Sequence, residues 1–229
     1  MSAALDGAPP GVAAFDFDGT LTQGGSVFEF LIAVAGRTRT LSAAASLSPR
    51  LAHAALVGGA VADSTKEQLF GRLLAGVPVD RVEEVAADFA TTHLRRYSRP
   101  EVRARLDWHR LRGDLVVIVS ASPDLYVRVA GELLGADEAV ATRLAVSGAL
   151  LTGRYEGANC RGEEKTRRLR KWIEHSGGAA GTLWAYGNSR GDLSMLRAAD
   201  VGVNVGRLGR FGRLRAFPGL EDTEADGVG

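Results

Sequence analysis

Four short apolar runs punctuate the chain, and segments with helical spacing fill the intervals between them. The runs are Val12–Phe15, Leu115–Val119, Leu183–Tyr186 and Val201–Val205. Continuous rather than alternating hydrophobicity over four or five residues predicts strands buried on both faces, as in a parallel sheet covered by helices on each side. Apolar stripes at spacings of three and four predict the helices. One is Val82, Val85, Ala86 and Phe89 between Asp80 and Arg96, and another is Leu169, Trp172 and Ile173 within Glu163 to His175. Leu125, Val129 and Leu133 mark a third, ending at Gly135, a residue suited to a left-handed cap. The predicted fold class is α/β, with a doubly wound, Rossmann-like parallel sheet.

The interval between the first two strands is too long for a simple crossover. A βαβ unit takes roughly 30 residues, and about three times that separates Asp18 from Leu115. Helical patterning at about 27–35, 41–57, 64–74, 80–97 and 101–111 fills it. A helical insertion directly after a strand end predicts a small cap over the sheet edge. The expected division is 1–22 and 113–217 as core, 23–112 as cap insertion with its return helix, and 218–229 as an acidic, Gly-containing disordered tail. Residues 151–162, with three Gly, read as a short hairpin or flap.

Composition narrows the partners. The 229 residues carry 28 Lys and Arg against 27 Asp and Glu, so no basic field points to nucleic acid. Cys160 is the only cysteine, which excludes an internal disulfide and fits a reducing compartment. The first residues lack a signal-peptide pattern. No apolar run reaches membrane-span length, and the nearest, Leu41 to Ala62, is interrupted by Pro49, Arg50 and His53. A cytoplasmic location is expected.

Candidate chemistry begins at the end of the first strand, in Asp16-Phe17-Asp18-Gly19-Thr20. Side chains two apart on a strand share a face, so Asp16 and Asp18 would enter one space. Carboxylates that close push one another toward protonation unless a cation lies between them. The plainer alternative is a pair of solvated aspartates before a Gly turn. Three further polar features stand where strands end or helices begin near them: Ser120, Lys165, and Asn188 with Asp192. Ligands of doubly wound sheets bind outside the carboxyl ends of the strands.

In that order, Asp-x-Asp-Gly-Thr, a strand ending in Ser120, Lys165, then Gly187-Asn188-Ser189-Arg190-Gly191-Asp192, the chain resembles the haloacid dehalogenase superfamily of phosphohydrolases. The place of the insertion, with Val-Ser-Ala-Ser-Pro-Asp at 119–124, is similar to its phosphoserine-phosphatase-like subfamily IB. The resemblance implies a phosphatase acting on a small phosphorylated metabolite, with Asp16 as nucleophile and Asp18 as general acid and base. It implies phosphate binding by Ser120, Ala121, Lys165, Gly19 and Thr20. It also implies Mg²⁺ held by Asp16, by Asp18 through its backbone carbonyl, and by Asn188 or Asp192. The family usually has Asp where this chain has Asn188, so metal binding weaker than at an all-carboxylate site is expected.

Other residues have plainer readings. Ser122, before Pro123, is the better candidate for a helix N-cap than Ser120. Arg167, Arg168, Arg170 and Lys171 suit a solvated helix face, as does the Arg-rich stretch Gly206 to Arg215 a solvated surface. Lid residues expected to face the site are Gln23, Ser26, Phe28, Glu29, Lys66 and Arg72. Family members specific for phosphoserine have an acidic residue where this chain has Gly25, which argues against that substrate. A receiver domain is disfavoured by chain length and by the insertion. A phosphate- or metal-binding protein without turnover and a phosphotransferase to a non-water acceptor are the remaining alternatives.

Overall fold

The computed structural model describes residues 10–176, 181–206 and 213–223. Strand β1 (Val12–Phe15) is followed by five helices: α1 (Val27–Ala35), α2 (Arg37–Ser46), α3 (Ser48–Val57), α4 (Gly59–Leu73) and α5 (Val79–Tyr97). Helix α6 (Pro100–Arg112) returns the chain to β2 (Leu115–Pro123), α7 (Asp124–Leu134) and β3 (Glu138–Thr142). A hairpin of β4 (Leu144–Ser147) and β5 (Leu150–Tyr155) precedes α8 (Glu163–His175), β6 (Leu183–Gly187), α9 (Leu193–Ala198) and β7 (Val201–Asn204). The main sheet is parallel in the order β3-β2-β1-β6-β7. Alternate residues of its strands enter two separate cores. Ala13, Phe15, Val116 and Ile118 pack with α6, α7 and the inserted helices, while Val12, Ala14, Val117 and Val119 pack with α8 and α9. Burial on both faces is what the continuous apolar runs require.

Several elements depart from the sequence expectation. The stretch 41–57 divides at Leu47 into α2 and α3, because Pro49 lacks the N–H to continue a helix. Edge strand β3 was not expected, since Glu-Ala-Val-Ala-Thr has neither a long apolar run nor clear alternation. The hairpin begins at Leu144, ahead of the 151–162 flap, and docks on the cap: Leu151 exchanges backbone hydrogen bonds with Gly76 and Val77. At Gly153 (φ 73°) a Cβ would lie 2.5 Å from Gly71 Cα, so only glycine permits this approach. A piece of the 113–217 segment thus packs as part of the cap.

Residues 218–223 of the expected tail are tied to the core. Pro218 O accepts from Asn204 N at 2.9 Å, and Arg105 donates to Leu220 O and Thr223 O at 3.2 and 2.6 Å. Residues 224–229, and 207–212 of the Arg-rich stretch, lie outside the described residues. No described helix is long and apolar enough to cross a membrane.

A buried polar relay ties α6 to the sheet. His109 is fully buried, with Nδ1 2.8 Å from Asp114 Oδ2 and Nε2 2.8 Å from Tyr186 Oη. These partners suit a neutral ring donating from Nδ1 and accepting at Nε2. Burial pushes its pKa down to about 4, against the hydrogen bond and charge of Asp114. An unfolded histidine titrates near 6.5, so on acidification the unfolded chain takes up the proton first. Stability is therefore complete above about pH 6.5 and declines toward pH 4, by about 3 kcal/mol for this group. Urea unfolding at pH 7 and pH 4.5 should reveal the decline and find it reduced in His109→Gln; equal slopes in the two proteins contradict the assignment.

Candidate active site

The site grows from the end of β1. Asp16 N still donates to Tyr186 O at 2.9 Å, so this residue extends the ladder while its side chain leaves the sheet edge. Phe17 turns the other way, buried against the rings of His93 and Tyr126. Asp16 and Asp18 are left facing one cavity. The turn then closes with Thr20 N and Thr22 N both donating to Phe17 O.

Lys165, in the first turn of α8, is almost wholly buried between two carboxylates. Its Nζ lies 2.5 Å from Asp16 Oδ1 and 2.6 Å from Asp192 Oδ1. Burial opposes the ammonium charge, but the two aspartates outweigh it and raise the lysine pKa. Burial and the Asp192 charge push Asp16 up to about 7, with Lys165 pulling the other way. Asp192 is buried too, yet Lys165 and donors from Ser189 keep its carboxyl below the usual range. Its Oδ2 accepts from Asn188 N, Ser189 N and Ser189 Oγ at 3.2, 2.9 and 2.7 Å. Both Asp192 oxygens are thus committed to protein donors.

The cavity, about 220 Å³, is lined by Asp16, Asp18, Ser120, Ala121, Lys165 and Asp192 from the core. Its far wall is Asp63 and Lys66 of α4 with Asn159 and Arg161 from the segment before α8. Lys66 Nζ donates to Ala121 O at 2.7 Å and Asn159 Oδ1 at 3.0 Å. Burial lowers its pKa to about 8, partly offset by Asp63 and Asp18. Asn159 Nδ2 donates to Asp63 Oδ1 at 2.6 Å, and Arg161 pairs with the same oxygen at 3.4 Å.

Among the residues expected at the site, Asp16, Asp18, Ser120, Ala121, Lys165 and Asp192 meet in this cavity. Thr20 stands behind it, donating from Oγ1 to Asp16 Oδ2 at 2.9 Å. Gly19 (φ 80°) makes room for Asn188, whose Nδ2 would lie 1.9 Å from a Cβ there. Of the lid candidates, Lys66 alone lines the cavity. Glu29 is held by Tyr97 and His93, Arg72 by Ser46, and Gln23 and Phe28 are exposed. Ser26 is buried beside Tyr126. Sequence reasoning missed Asp63, Asn159 and Arg161. The spacing of Asp63 and Lys66, three apart on one helix face, was the available signal for the first. Cys160 is buried, and burial pushes its thiol up to about 11, so it is no nucleophile.

The donor set suits a divalent cation. Asn188 Oδ1 is buried and has no hydrogen-bond partner among the described residues. Asn188 is not among the residues that line the cavity; its side chain packs against Gly19, in the turn that follows Asp16, whose carboxyl group burial works to neutralise. A hard cation satisfies such an oxygen and favours the charged carboxylate. No described group of three or more His, Cys, Asp or Glu could hold a metal ion, so a site here draws on amide and backbone oxygens as well.

Comparison with known proteins gives a consistent picture. Residues 13–197 match the family model for haloacid dehalogenase-like hydrolases. Protein CicA of Caulobacter vibrioides is 38% identical over 196 residues, covering 85% of each chain. Among solved structures, a Bordetella pertussis protein of unknown function superposes with a TM-score of 0.77 at 22% identity, covering 92% of this chain and 97% of that one. A phospho-aspartyl intermediate analogue of phosphoserine phosphatase gives a TM-score of 0.62 at 24% identity, covering 86% and 87%.

Proposed function

From the premise that the chain belongs to the haloacid dehalogenase-like hydrolase family, we propose that it is a Mg²⁺-dependent phosphatase of small, hydrophilic phosphomonoesters. The observation that carries this reading is the buried Lys165 ammonium shared by Asp16 and Asp192 in a cavity that also holds Asp18 and Ser120. Phosphoryl transfer needs a positioned nucleophile and fixed positive charge more than any other help. The neighbouring phosphoserine phosphatase structure, described as a phospho-aspartyl intermediate analogue, supports an aspartyl nucleophile.

In this mechanism an Asp16 carboxylate oxygen attacks phosphorus while the bond to the leaving oxygen breaks. Asp18 gives that oxygen a proton, so it departs as an alcohol. Water then attacks the aspartyl phosphate, Asp18 takes its proton, and the phosphorus–Asp16 bond breaks to release phosphate and restore both carboxyl groups. Ser120 Oγ donates to a phosphoryl oxygen. Lys165 pulls Asp16 toward its ionised form and offsets charge on the transferring group. Mg²⁺ would be held by the Asp16 carboxylate, the Asp18 backbone carbonyl and Asn188 Oδ1, supplying positive charge at the phosphoryl oxygens. Asp192, whose Oδ2 already accepts from three donors, orients Lys165.

The cavity's size and its polar wall of Asp63, Lys66, Asn159 and Arg161 favour a short polar leaving group over an acyl chain. Gly25 is exposed and Glu29 is held elsewhere, so the entry to α1 offers no carboxylate to an amino group. The reading is tested by incubating the protein with Mg²⁺ and p-nitrophenyl phosphate and mapping a beryllofluoride adduct. Mg²⁺-dependent turnover with the adduct on Asp16 is expected. Binding without turnover, or an adduct elsewhere, overturns it.

A further inference from the structure

Ser122 does not cap α7. The N-cap position is Pro123, with no side-chain cap bond, and the Ser122 hydroxyl points instead at Asp18, with Oγ 2.5 Å from Oδ2. The other Asp18 oxygen, Oδ1, accepts from Ser26 N at 2.8 Å. Ser26 is fully buried at the entry to α1, where its Oγ lies 2.6 Å from Tyr126 Oη. Burial raises the Tyr126 pKa far above its ordinary value, so this phenol keeps its proton. Meanwhile Ser122 N donates to Ser120 Oγ at 3.0 Å, taking one acceptor position on that oxygen and leaving its hydroxyl proton free to turn to the cavity.

A carboxyl group on a single-bonded stem swings freely unless both oxygens are held. Here each has one donor among the described residues, from opposite sides of the cap junction: Ser122 on the core strand β2 and Ser26 at the start of the first cap helix. A carboxylate oxygen can accept two hydrogen bonds, so each keeps one acceptor position, and Asp18 lines the cavity. The two contacts set the rotation of Asp18 and link it to the seating of α1, so the group that must reach the leaving oxygen is aimed only while the cap is docked. We propose that Ser122 is a positioning residue that aims the Asp18 carboxyl at the leaving-group oxygen, with the Ser26 N–H as its counterpart on the cap. The inference rests on the phosphatase reading in assigning proton transfer to Asp18.

Removing the Ser122 hydroxyl should slow the first step most for esters that need a proton delivered, and kcat/KM reports that step apart from the later hydrolysis of the aspartyl phosphate, which Asp18 serves as base. An alkoxide is too basic to leave without a proton, whereas p-nitrophenolate departs as the anion. Ser122→Ala keeps the N–H that holds Ser120, so phosphate binding is preserved. Expected are a fall of about 10- to 100-fold in kcat/KM on glycerol phosphate and a change within about threefold in kcat/KM on p-nitrophenyl phosphate. Asp18→Asn, which loses the acid and the base together, should lower kcat on both esters, whereas Ser122→Thr, which retains a hydroxyl, should recover much of the alkyl-ester activity. Thermal unfolding of each variant checks that the fold is retained. An equal loss on both esters, or no loss on either, overturns the role given to Ser122 and leaves the phosphatase reading standing. No turnover of either ester by the unaltered protein overturns the reading itself, and the inference with it.

Discussion

Asp16→Asn should fold normally and turn over p-nitrophenyl phosphate slower by on the order of 10⁴-fold or more, the range seen when a covalent nucleophile is removed. The substitution is close to isosteric. An Asn oxygen can still accept from Lys165, and an amide N–H₂ can face Thr20 Oγ1, which accepts as readily as it donates. What disappears is the nucleophile, because an amide cannot form the acyl phosphate. A factor of 10⁴ corresponds to about 5.5 kcal/mol of barrier, more than loss of one hydrogen bond costs. Steady-state kinetics beside a denaturation curve separates the two effects. Activity within tenfold of the unaltered protein would show that Asp16 is not the attacking group.

Lys165→Met should lose both turnover and stability. The methionine fills a similar volume, so no large cavity opens, but Asp16 and Asp192 lose the charge they share. Removing one partner of a buried ion pair costs about 3–5 kcal/mol, because the remaining charge stays buried without compensation. Asp192 still has three donors on Oδ2, so the larger share falls on Asp16, which burial already drives toward protonation. A protonated Asp16 is a poor nucleophile, and the kinetic loss should therefore exceed what the lost phosphate contact explains. The check is a urea midpoint together with kcat. An unchanged midpoint would mean that the pair contributes no net stability, and retained turnover would remove Lys165 from the mechanism.

The residues legible in advance share a property: each lies at a strand end or helix start whose position is dictated by local hydrophobic pattern. Asp16 and Asp18 follow β1 by one and three residues, Ser120 lies on the strand that β1 pairs with, and Asp192 closes the short turn after β6. The cap wall carried no comparable mark. Asp63, Asn159 and Arg161 are ordinary polar residues of a helix and a loop, and nothing in their spacing says that the β4–β5 hairpin folds back onto α4. Ser122 was misread for a related reason, since Ser-Pro before a helix suits a cap, and only the approach of Asp18 from β1 gives its hydroxyl a better acceptor.

Local pattern determined the parallel sheet, the long helical insertion and the order in which the acidic, hydroxyl and cationic groups reach one edge. Burial of apolar strands on both faces leaves few arrangements, and the strand ends then place their neighbours. Tertiary structure decided which donors each carboxylate meets: Lys165 between Asp16 and Asp192, Ser122 and Ser26 on Asp18, and Lys66 reaching from the cap to Ala121. Most of these contacts join residues far apart in the chain. Their partners are chosen by side-chain reach and packing across the cap–core junction, and such choices leave no periodic trace in the order of amino acids.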